Sequence, residues 1–142
     1  SLIDLPATLL HLAGIPIPGS YAGNILPVNG YDAKERDCVF VQISESQIGR
    51  CVRTKKWKYS ARAIGSGQLG HSAAHYFDDF LYDLVNDPLE KTNLVNSKEH
   101  TSVLQEMRAL LAREMVNAGE RKPIFHKALK KTGTSRKVRD FD

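Results

Sequence analysis

A chain of 142 residues with 42% hydrophobic and 25% charged residues can build one domain with a real core, and is too short for two ordinary ones. It contains no apolar run near the roughly 20 residues that cross a bilayer, no initiating Met and no basic-then-apolar leader, so it is expected to be a piece cut from something larger, with no membrane partner. The net charge of +4 is modest, and much of the excess sits near the end, in Lys127, Lys130, Lys131, Arg136, Lys137 and Arg139. With no aromatic ladder or nucleic-acid motif beside it, that run reads as a solvated tail and not as a nucleic-acid arm.

The first predicted element is a short helix over residues 4–13. Asp4 is placed to cap the free amides of the first turn, Pro6 is tolerated there because its missing N–H would have had no partner, and Gly14 supplies the left-handed stop. Leu5, Leu9 and Leu12 fall on one face. Ile15-Pro16-Ile17-Pro18-Gly19 cannot continue the helix, and residues 19–30, rich in Gly, Asn and Pro, read as loop.

Strands follow. Val39-Phe40-Val41-Gln42-Ile43 is apolar at nearly every position, the pattern of a strand covered on both faces. Residues 49–54 form a second strand, and Lys55 with Lys56 turns the chain into a third. In that third strand Trp57, Tyr59, Ala61 and Ala63 alternate with Lys56, Lys58, Ser60 and Arg62, so one face is buried and one is wet. Residues 64–75 are Gly- and Ser-rich loop, and residues 80–84 make a fourth strand.

After it, Asn86-Asp87-Pro88 forces a change of direction, because Pro88 fixes its own φ and disfavours helical geometry at Asp87. Residues 97–118 are a long amphipathic helix capped at Ser97 and ended by Gly119, with Val103, Met107, Leu110, Leu111 and Met115 on one stripe. The expected fold is α+β: a four-stranded antiparallel sheet covered on one face by the long C-terminal helix, with the short N-terminal helix belonging to a main domain outside this chain. The expected division is 1–30 for the end of that main domain and a linker, 31–119 for the sheet and helix, and 120–142 for a mobile basic tail.

Cys38 and Cys51 form no CxxC pair and have no metal-type spacing with histidine. Their strand-like surroundings favour two core thiols on neighbouring strands, with a single disulfide as the other reading. The compartment stays undecided.

Three phrases in this order resemble the C-terminal region of the sulfatase family. They are Asp4-Leu5-Pro6-Ala7-Thr8-Leu9-Leu10-His11-Leu12-Ala13-Gly14-Ile15, Arg53-Thr54-Lys55-Lys56-Trp57-Lys58-Tyr59, and Leu81-Tyr82-Asp83-Leu84-Val85-Asn86-Asp87-Pro88-Leu89-Glu90-Lys91-Thr92-Asn93-Leu94. A fourth, Gly23-Asn24-Ile25-Leu26-Pro27, is a partial match. The resemblance implies a parent enzyme that hydrolyses sulfuric esters with a formylglycine nucleophile and a calcium ion, this part being structural and lining the substrate pocket. It also implies a missing N-terminal catalytic domain as partner, since neither cysteine and no serine here stands in the C/S-x-P-x-R pattern that yields formylglycine. A phosphodiesterase or phosphonate hydrolase of the same alkaline-phosphatase-like superfamily, or a stand-alone non-catalytic interaction module, are the alternatives. An apolar patch left on the opening helix makes a homo-oligomer an expectation too.

No catalytic residue and no metal ligand is assigned. Asp83, Asn86, Asp87 and Glu90 lack the spacing of an EF-hand calcium loop and read as turn-capping groups. Asp78 and Asp79 are adjacent, so strand geometry sends their carboxylates to opposite faces. His71 and His75 are four apart but sit in a loop with no third ligand. For an anionic sulfate ester, charge-assisted donors are the useful types, which makes Gln47, Arg50, Arg53, His71 and His75 the candidate substrate contacts. His11 reads as structural and His126 falls in the tail.

Overall fold

A computed structural model describes residues 2–28, 30–31, 36–64 and 70–129. The chain divides into two compact units, one ending at Val39 and one beginning at Phe40. The expected mobile tail lies outside the described residues from position 130 onward.

The first unit is built on α1 (Asp4–Leu12), stopped by Gly14 at φ +69°. The leucine stripe does not supply its buried face. Asp4, Ala7 and Thr8 are buried, whereas Leu5, Leu9 and Leu12 are exposed, Leu9 at 64%. Asp4 does not cap the helix either; Ile3 stands at that position without a side-chain cap bond. The carboxylate is drawn elsewhere, accepting from the Asn24 N–H at 2.8 Å and from the Arg36 guanidinium. Thr8 Oγ1 accepts from the Leu26 N–H at 2.9 Å, so the loop lies on the polar side of the helix. The approach is tight at Gly23, where a Cβ would come within 1.9 Å of the Ile3 carbonyl oxygen.

The second unit is a sheet with a helix on one face. Its strands are β1 (Val39–Ile43), β2 (Gly49–Arg53), β3 (Trp57–Arg62), β4 (His75–Asp83) and β5 (Ile124–His126), in that spatial order, with α2 (Thr101–Asn117) between β4 and β5. The predicted sheet had four antiparallel strands; the structure adds a fifth, paired parallel to β4. The α2 crossover returns the chain in the direction of β4, the connection a parallel pair requires. Three residues, Ile124-Phe125-His126, set in a lysine-rich run are too short a signal for a strand, which is why the sequence hides it.

The core confirms the period-2 reading of β3. Tyr59 and Ala61 are buried together with Val52, Tyr76 and Leu81, under Met107, Leu111 and Met115 of α2. Burying that stripe contributes about 1.5–3 kcal/mol per large side chain. Val103 and Leu110 pack half-buried at its edge. α2 starts at Thr101, later than expected: Ser97 Oγ pairs with His100 Nδ1 at 2.8 Å and residues 97–100 form a separate turn.

Two other strands differ from expectation. β1 is an edge strand, not one covered on both faces; Val41 is 46% exposed and Ile43 similarly so. β4 starts at His75, earlier than its predicted start at Phe80, because Asp78 is an unlikely strand residue whose charge is met inside the fold. Tyr59 Oη donates to Asp78 Oδ1 at 2.7 Å, and the Arg108 guanidinium of α2 grips both carboxylate oxygens. A bulge places Ser60 opposite Phe80 and Ala61 opposite Asp78, leaving Asp79 as the extra residue. Asp78 therefore faces α2, while Asp79 pairs with Arg62 at 3.5 Å.

Candidate functional site

The Asn-Asp-Pro phrase is a knot of backbone capping. Asp83 Oδ1 accepts from the N–H groups of Val85 and Asn86, Asp87 Oδ2 from Thr92 N–H, and Asn93 Oδ1 from Leu81 and Val95 N–H. The Asn86 side chain, followed by these amides, holds the Asp83 carboxyl below its usual range. Glu90 sits at φ +56°, a strained conformation for a side-chain-bearing residue, and its carboxylate takes Arg53 Nη1 at 3.1 Å and Lys58 Nζ.

Strand pairing then decides which candidates can meet. Gly49 lies opposite Arg62, Arg62 opposite Phe77, and His75 opposite Ile124. The turn after β1 and the segment between β3 and β4 therefore share one end of the sheet. Gln47, Arg50, His71 and His75 belong to that end. Arg53, held by Glu90, belongs to the other, and the two ends are joined by a groove of about 450 Å³ on the open sheet face, lined by Val41, Ile43, Gln47, Arg53 and Phe80 among others.

Arg50 was expected as a substrate contact; the structure uses its guanidinium internally. Its side chain is 2% exposed. Nε donates to Glu120 Oε1 at 2.6 Å, Nη1 to the Ile43 carbonyl at 3.0 Å and Nη2 to the His71 carbonyl at 2.6 Å. Ser44 Oγ donates to the same His71 carbonyl at 3.0 Å. Arg50 thus fixes the position of the two loops that carry Gln47 and His71, a positioning role. The His71 residue is exposed.

His75 has a partner that the sequence did not offer. Its Nδ1 lies 2.9 Å from Nε2 of His126 on β5, the ring planes are 29° apart, and Phe77, two residues further along β4, stacks on His126. In the sequence His126 falls in the tail, with no signal for this pairing.

Cys51 is half-buried, its thiol pushed up by burial, and no disulfide forms among the described residues. The described residues do not fit a calcium site: Asp78 is engaged by Tyr59 and Arg108, Asp79 by Arg62, and no group of three potential ligands comes together among them. No described helix is long and apolar enough to cross a membrane.

No family model matches the chain. It is 32% identical over 117 residues to the Δ4,5-hexuronate-2-O-sulfatase of Bacteroides thetaiotaomicron, an alignment covering 77% of this chain and 22% of that protein. It is 30% identical over 132 residues to arylsulfatase K of Bos taurus, covering 83% of this chain and 23% of the other. The solved structure of a 2-O GAG sulfatase superposes with a TM-score of 0.67 at 30% identity, over 82% of this chain and 24% of that one. The chain thus spans less than a quarter of the length of these relatives. With three phrases in family order, a shared fold and these identities, the chain belongs to the sulfatase family and corresponds to its C-terminal subdomain.

Proposed function

We propose that this subdomain serves a hydrolase of sulfuric esters by walling its substrate pocket with the sheet end that carries Gln47, His71 and His75. The observation that supports this most is the Arg50 clamp. A buried guanidinium is spent on holding two loop carbonyls, and the donors those loops expose are the types that recognise an anionic ester. The reacting groups, a formylglycine nucleophile and calcium, belong to the rest of such an enzyme; the residues described here bind and orient. The two relatives named for 2-O-sulfate chemistry make a 2-O-sulfated uronic acid the first substrate to assay. In the complete open reading frame, Gln47→Ala, His71→Ala and His75→Ala should each raise KM several-fold with a smaller effect on kcat, whereas Arg53→Ala at the far end should not. Equal losses from Arg53→Ala, or unchanged KM in all three sheet-end variants, would overturn the reading.

A further inference from the structure

Arg62 closes β3 at the sheet end that carries Gln47, His71 and His75, opposite Gly49 of β2 and Phe77 of β4. Its side chain borders the groove on the open sheet face and is 42% exposed. Three other cations line that groove, and each is spent on a hydrogen bond: Arg50 on Glu120, Arg53 and Lys58 on Glu90. Arg62 makes no such bond among the described residues. Its guanidinium meets Asp79, the extra residue of the β4 bulge, whose Oδ1 lies 3.5 Å from Nε. That distance is too long for a good charge-assisted bond, and the Nη1–Nη2 edge of the fork has no described partner.

We propose that Arg62 is a specificity-determining residue of this subdomain, gripping the carboxylate of a uronic acid that lies in the groove. Its open edge presents two parallel N–H donors, the pattern that a planar carboxylate meets with both oxygens. Gln47 is placed to serve the neighbouring hydroxyls. Its Nε2 lies 3.6 Å from where a Cβ on Gly49 would stand, one strand away from Arg62, so the missing side chain at position 49 keeps the space between them clear. The charge of the groove suits an anion: Glu90 answers Arg53 and Lys58 together, which leaves a positive charge in surplus there. Val41, Ile43 and Phe80 give the C–H face of a sugar ring an apolar surface, within a volume of about 450 Å³.

This role rests on the reading of the sheet end as a pocket wall, and two measurements separate their failures. Sodium glucuronate is titrated into this chain and followed by nitrogen-15 NMR. Saturable shifts are expected at the Arg62 Nε–H and Gln47 side-chain amide signals, with none from glucose. Arg62→Ala should weaken glucuronate binding about tenfold or more, the range for hydrogen bonds to a charged group, and Arg62→Lys should restore little of it. Neither change should move the melting temperature much, because a loose, partly exposed ion pair contributes little to stability. In the complete open reading frame, Arg62→Ala should raise KM about tenfold for a 2-O-sulfated uronic acid and leave KM for a 2-O-sulfated neutral hexose nearly unchanged, whereas Gln47→Ala should raise both. Glucuronate shifts that persist in Arg62→Ala, no saturable shifts at all, or an equal rise in KM for both esters would overturn the assignment of Arg62. Unchanged KM in the Gln47, His71 and His75 variants, with glucuronate binding intact, would overturn the pocket-wall reading alone.

Discussion

Tyr59 donates its phenolic hydroxyl to Asp78 at 2.7 Å between neighbouring strands, in a position sealed by α2, where Asp78 is 4% exposed. Arg108 completes the arrangement from the helix, so one carboxylate ties β3, β4 and α2 together. Removing it leaves a cation facing a core it cannot fully leave. Asp78→Ala should destabilise the unit by about 3–5 kcal/mol in urea melts, the cost of breaking a buried charged pair. Arg108→Ala should cost less than replacing Arg108 and Tyr59 together, and Tyr59→Phe about 1.5–3 kcal/mol, the range for one hydrogen bond to a charged group. A ranking with Asp78→Ala as the mildest would contradict this account.

The same relationship fixes the behaviour at high pH. Burial first, and then the Asp78 charge, push the Tyr59 hydroxyl well above the ordinary tyrosine range. In the unfolded chain the phenol ionises near its usual value of about 10. The folded state then holds more protons than the unfolded one, so stability is full below that pH and falls as pH rises beyond it. Tyr76 and Tyr82 are raised by burial too and add to the slope. Ultraviolet titration of the phenolates should show Tyr59 ionising only with unfolding, and Tyr59→Phe should flatten the alkaline loss of melting temperature.

Arg50 makes a second prediction about charge. Arg50→Ala leaves Glu120 as a half-enclosed anion and frees the carbonyls of Ile43 and His71, so a loss of about 3–5 kcal/mol is expected. Arg50→Lys should rescue little of it, because an ammonium cannot reach Glu120 and two carbonyls in the fork geometry of a guanidinium. The double change Arg50→Met with Glu120→Leu should recover most of the loss, since it removes both charges. Urea unfolding of the three variants checks the order.

At Glu90 two effects oppose each other. Glycine would relieve the φ of +56°, a gain of about 1 kcal/mol, while losing the pairs with Arg53 and Lys58, worth about 0.2–1 kcal/mol each at partly exposed positions. Glu90→Gly should therefore be close to neutral. Glu90→Ala loses the pairs without the relief and should be less stable than the glycine variant by about 1 kcal/mol. Equal melting temperatures for the two would show that the backbone here is not strained.

Much of the fold was legible because periodicity survives local noise. The alternation through Trp57, Tyr59 and Ala61 and the stripe through Met107, Leu111 and Met115 each reported a buried face correctly. Local pattern misled elsewhere: β1 reads as covered on both faces yet Val41 stands in solvent, and Asp4, Arg50 and Asp78 are charged yet buried. In each charged case a partner distant in sequence makes the burial possible: Arg36, Glu120 and Arg108. Such partners have no local signature. The candidate residues Gln47, His71 and His75 were found by chemical type, but their grouping at one sheet end came only with the register, as did the separation of Arg53 and the pairing of His75 with His126.

Residues 124–126 look like the start of a disposable trailer, yet they cover what would otherwise be the open margin of β4, the longest strand in the sheet. A protein trimmed at the helix stop would bare a row of unanswered amides and carbonyls beside Tyr76 and Phe77, an invitation to stack with copies of itself. Expression boundaries for this subdomain belong beyond Leu129, and fusion partners should be attached there.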